Sequence, residues 1–109
     1  MNYEWDPKKN LKNIRKHKAD FGQAITALED TFRLCFYDEA HSLEEDRYIV
    51  FGNAEGRILV VSIVWVDEET IRIISARRAS KNEKEAYDEN CSLHFGKHTQ
   101  THQGGLGQA

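Results

Sequence analysis

Proline occurs once in this chain, at Pro7, and cysteine twice, at Cys35 and Cys91. The two cysteines show neither metal-ligand nor redox spacing, so no disulfide framework or thiol motif is encoded. Cys35 stands in the apolar run FRLCFYD and reads as a small buried hydrophobe. No apolar run has the length of a membrane span; the longest, ILVVSIVWV, is interrupted by Ser62 and is strand-sized. The start, MNYEWDPKK, carries charge at once and lacks the apolar segment of an export signal. No internal repeat is present. The expectation is one cytoplasmic, disulfide-free domain, since 109 residues leave no room for two.

Basic residues are outnumbered overall, with a formal net charge of -3, but the charges are segregated. Residues 1–20 and 71–84 hold eleven of the fifteen Lys and Arg, against Glu4, Asp6, Asp20 and Glu83. The middle is acidic, notably Asp38, Glu39, Glu44, Glu45 and Asp46. If the two basic segments meet in space, they form a positive face that attracts phosphate whatever the overall charge.

Periodicity predicts the order β-α-α-β-β-β-β-α, an α+β domain with an antiparallel meander in its second half. NYEW is a short strand. DPKKNLKNIRKH starts a helix with Asp6 as N-cap and Pro7 in the first position, and Leu11 and Ile14 are expected to form its apolar stripe. DFGQAITALED begins a second helix with a capping box from Asp20 and Gln23. From Thr31 the period becomes two: FRLCFYD, DRYIVFG, RILVVSIVWV and TIRIISARR are strands, with GNAEG as a hairpin loop. RILVVSIVWV is apolar on both faces, as a covered central strand would be. Ser80 then caps a final helix, with Glu83 in the capping-box position.

The domain is expected over residues 1–90 and a flexible tail over 91–109, where Gly, His and Gln dominate. His94, His98 and His102 would line one face if that tail were helical and could hold a metal, but the surrounding glycines favour a tail without structure.

The chemistry concentrates at the corner IRIISARRASKNEKEAY. Strict alternation puts Ile71, Ile73, Ser75 and Arg77 on one face of the strand and Arg72, Ile74, Ala76 and Arg78 on the other. One arginine should then face a substrate while its neighbour braces the helix. Arginine suits both tasks because its planar fork binds phosphate bidentately and keeps its charge. A pair tied to acids such as Glu83 or Asp46 is the plain structural alternative. Lys12, Lys16, His17 and Tyr87 extend the set toward RNA cleavage without a metal. His17 or a lysine could take a 2′-hydroxyl proton, an arginine could neutralise the phosphorane, and a tyrosine could stack on a base or donate a proton. His17 could equally be a helix-end histidine that complements the dipole. His41 reads as a loop residue. No carboxylate cluster has metal spacing, which disfavours a two-metal nuclease.

WDPKKNLKNIRKH followed by DF, then DEAHSLEEDRYIVFG, the hairpin into RILVV, and IRIISARRASKNEKEAY resemble the BrnT family over residues 2–90. The resemblance implies a RelE-like fold and a bacterial ribonuclease toxin of a type II toxin–antitoxin system, with no cofactor. It implies neutralisation by a BrnA-like antitoxin with a ribbon-helix-helix domain, through which alone the complex reaches operator DNA. The matching candidates are Lys9, Lys12, Lys16 and Arg47 for RNA binding, and His17, Arg77, Arg78 and Tyr87 for catalysis. Where the family has glycine after the Lys-His pair, this chain has Lys18, so a different turn between the helices and a displaced His17 are expected. The competing readings are a degenerate toxin kept as an antitoxin-binding co-repressor, and a plain RNA-binding module.

Overall fold

Asp6 and Pro7 start helix α1 (Pro7–His17): the Asp6 carboxylate accepts the Lys8 N–H at 2.9 Å. The structure, a computed structural model, describes the backbone of residues 1–100 and the side-chain surroundings of residues 1–92. Strand β1 (Asn2–Glu4) precedes α1, and helix α2 (Phe21–Leu28) follows it with the reciprocal Asp20–Gln23 box in place. Strands β2 (Leu34–Tyr37), β3 (Arg47–Ala54), β4 (Arg57–Asp67) and β5 (Thr70–Arg78) lead to helix α3 (Lys81–Gln100). A short 3₁₀ turn, Glu39–His41, lies in the acidic loop after β2.

The sheet order is β1-β5-β4-β3-β2, so the meander is antiparallel and β1 closes it by pairing parallel to β5. β4 is central, as its two apolar faces predict. Leu59, Val61 and Ile63 join Phe21, Ala24, Ala27 and Leu28 of α2 in the core, while Val60 and Val64 are buried on the other face. Full burial of each such side chain contributes roughly 1.5–3 kcal/mol.

Of the two hairpin glycines only Gly56 turns the chain. Glu55 and Gly56 both have positive φ (54° and 93°), the two-residue turn whose twist matches flanking strands. Gly52 instead lies within β3, where an added Cβ would stand 2.0 Å from the Ala27 carbonyl oxygen. Its missing side chain lets α2 lie directly on the sheet.

Three readings need correction. Leu11 and Ile14 are exposed (57% and 37%), and α1 turns Asn13 inward instead. β1 ends at the level of Arg72, which leaves the outer edge of β5 open further along. There the Asn13 amide donates to Ala76 O at 2.6 Å and accepts from Ala76 N at 3.1 Å, continuing the ladder with a side chain. Cys35 is exposed, because β2 is an edge strand and not part of the core. Strict alternation along β5 also fails: Ile63 pairs with Ile73 but Ser62 with Ser75, so Ile74 is a bulge. Ala76 and Arg78 therefore share the helix-bearing face with Ile71 and Ile73, while Ser75 and Arg77 join Arg72 on the second face. The backbone of α3 is described to Gln100. Residues 101–109, and with them His102 of the proposed metal face, lie outside the described residues.

Candidate functional site

The two basic segments meet through the Asn13–Ala76 hydrogen bonds. Helix α1 ends at that junction. Lys18 caps it in the left-handed conformation (φ 58°, ψ 31°), donating its N–H to Ile14 O at 2.9 Å. The turn therefore keeps the geometry that glycine would favour, and the different turn expected from Lys18 is not formed. A non-glycine residue here costs about 1 kcal/mol. Arg57, at the start of β4, reaches Lys18 O and Gln23 Oε1 at 3.4 Å each. Two residues further along β4, Leu59 pairs with Arg78. Arg57, half-buried, thus lies at the turn that follows the half-buried His17, and the exposed Arg78 pairs with β4 two residues further along. Sequence reasoning missed Arg57; its place two residues before a core leucine after a hairpin is the signal that could have found it.

The arginine pair divides as alternation at the corner requires. Arg77 forms a bidentate pair with Glu83 (Nη1–Oε1 and Nη2–Oε2, 2.8 Å each). Glu83 Oε1 also accepts the Ser80 N–H at 2.8 Å, so strand end and helix cap are locked together. Arg77 holds the Glu83 carboxyl at about 2, with the Ser80 N–H adding to the effect. Arg78 is exposed, and among the described residues its guanidinium has no hydrogen bond or ion pair.

The lysines Lys9, Lys12 and Lys16 follow one another at three- and four-residue spacing on α1, giving one exposed stripe beside His17. Two candidates lie elsewhere. Tyr87 is buried (5% exposed), and its hydroxyl donates to Asp30 Oδ2, which also accepts Asn53 N–H at 2.9 Å. Burial and the Asp30 carboxylate push the phenol well above its ordinary value. Asn90 adds a bond to Phe32 O at 3.0 Å. Tyr87 thus fastens α3 to the end of α2. Arg47 pairs with Val64, five residues along β4 from the partner of Arg78, roughly 17 Å away. It lines a pocket with His41, Glu44 and Glu45, away from α1. Among the described residues no group of three His, Cys, Asp or Glu side chains gathers as metal ligands, and no helix is long and apolar enough to cross a membrane.

The family model described as the ribonuclease toxin BrnT of type II toxin–antitoxin systems matches residues 5–83. Among solved structures, the ribonuclease toxin BrnT of Brucella abortus is 31% identical, with a TM-score of 0.60. That match covers 74% of this chain and 99% of the Brucella chain, and it agrees with a RelE-like fold. A comparison with curated proteins finds no match. The chain belongs to the BrnT family of ribonuclease toxins of type II toxin–antitoxin systems.

Proposed function

We propose that this chain is a metal-independent endoribonuclease of the cytoplasm, with its centre at the end of α1. The RNA backbone lies along Lys9, Lys12 and Lys16, whose charges neutralise phosphates without reading sequence. His17 takes the proton of a 2′-hydroxyl. That oxygen attacks the adjacent phosphorus, Arg78 neutralises the charge developing on the phosphorane, and the 5′-oxygen leaves, protonated by solvent. The products carry a 2′,3′-cyclic phosphate and a 5′-hydroxyl. Arg77, Arg57 and Tyr87 act on this site through structure: Arg77 and Tyr87 fix α3, and Arg57 holds the turn that follows His17.

The observation that carries the reading is the exposed guanidinium of Arg78, unpartnered among the described residues, beside the end of the lysine-bearing helix. The partner we propose is a BrnA-like ribbon-helix-helix antitoxin, through which the complex reaches operator DNA. Purified protein should cut RNA in the presence of EDTA and leave cyclic phosphate ends. Cleavage only with added magnesium would overturn the mechanism. No cleavage together with intact antitoxin binding would identify the chain as the antitoxin-binding co-repressor instead.

A further inference from the structure

Strand β2 forms one edge of the sheet, and its four residues Leu34, Cys35, Phe36 and Tyr37 include no proline, no charge and no bulge. Such an edge is a template for another strand unless something covers it. The direction of its free groups is fixed by the register. Asp38 N–H donates to Arg47 O at 2.9 Å, so Asp38, Phe36 and Leu34 bond inward to β3. The N–H and C=O of Cys35 and Tyr37 therefore point outward.

The side chains of those same two residues lie on the helix-bearing face, opposite Val50 and Tyr48. Beside Cys35 that face holds a groove of about 410 Å³, lined by Met1, Leu28, Val50, Ile63 and Trp65, with Glu29 and Arg33 as its charged side chains. Main-chain groups with no strand partner among the described residues, next to a pocket for alternate side chains, are the two elements of recognition by strand addition. The surroundings also select the occupant's charge. Glu29 flanks the groove, and Asp38, Glu39, Glu44, Glu45 and Asp46 follow the strand, against Arg33 and Arg47. An RNA strand is repelled here, and a basic peptide is attracted.

We infer that the β2 edge is the antitoxin's docking site: an extended, Lys- or Arg-bearing segment of the antitoxin adds to the sheet beside β2 and inserts an apolar side chain into the groove. This rests on the antitoxin partnership proposed above, and it places the antitoxin on the acidic side of the molecule, apart from α1.

The test uses the full chain and the product of the small reading frame adjacent to its gene. In hydrogen exchange the amides of Cys35 and Tyr37 should be protected when that product is added. Cys35→Lys, at an exposed position outside the catalytic machinery, should weaken binding at least tenfold while melting and RNA cleavage stay unchanged. Glu44→Lys with Glu45→Lys should weaken it several-fold and flatten its salt dependence. Unchanged exchange at both amides, or full binding by Cys35→Lys, would overturn the inference. So would protection by RNA, or protection already present in a dimer of the free protein. Failure of the wild type to cut RNA would bear on the catalytic reading alone.

Discussion

Arg77 and Glu83 face each other as fork to fork, two parallel hydrogen bonds of 2.8 Å joining the last residue pair of the sheet to the first turn of α3. Arg78, one residue on, points to the opposite face and touches no acid among the described residues. Loss of the two arginines should therefore be felt in different measurements. Arg78→Ala should lower kcat/KM for RNA about a hundredfold, near 3 kcal/mol of transition-state stabilisation, at unchanged melting temperature. Arg77→Ala should lower stability by about 1–2 kcal/mol, roughly 4–15 °C in Tm for a domain of this size, while cleavage per folded molecule stays near the wild type. Single-turnover cleavage and thermal melting separate the two; the reverse pattern would move the phosphate contact to Arg77.

The same pair sets an acid limit. The Glu83 carboxyl lies at about 2 in the folded chain against 4.5 when free, first because Arg77 hydrogen-bonds its charged form. The unfolded chain thus takes up this proton at a higher pH than the folded one. The stability from the pair is complete above about pH 5 and is lost as pH falls from 4.5 toward 2. The shift corresponds to about 3 kcal/mol, which solvent on the exposed edge of Arg77 reduces to roughly 1–2 kcal/mol. Urea unfolding between pH 6 and pH 2 should show this loss in the wild type and a smaller one in Glu83→Gln.

Tyr87→Phe keeps the ring and deletes the hydroxyl that binds Asp30. It should cost about 1–2 kcal/mol of stability and leave the cleavage rate of folded protein unchanged. A hundredfold fall in rate at constant stability would return Tyr87 to the catalytic set.

Lys18→Gly should stabilise the chain by up to about 1 kcal/mol, since it relieves a left-handed φ of 58° at the α1 C-cap. The urea midpoint reads the effect. A midpoint that falls would show that the Lys18 side chain contributes more than its backbone strain costs.

Local chemistry made much of this fold legible. Asp6 with Pro7, Asp20 with Gln23, and Ser80 with Glu83 each mark a helix start within four residues, and each cap is formed. The central strand announced itself by apolar residues on both faces. What escaped depends on distant partners. Asn13 is polar, so its position on the inward face of α1 is visible only once the open edge of β5 is known. The bulge at Ile74 leaves no mark in the sequence, yet it decides which arginine lies on the face that carries α1. Tyr87 read as a site residue by its company in sequence, but its partner Asp30 lies 57 residues away in the chain.

A pleated strand assigns faces by parity, and the bulge at Ile74 reverses that parity before the corner. A lone arginine there would be carried from α1 to α3 by any slip of one residue. Two in succession are immune: in either phase one lies on the face that carries α1 and the other on the face that meets Glu83. The doublet makes the corner tolerant of an irregularity in the strand that leads to it.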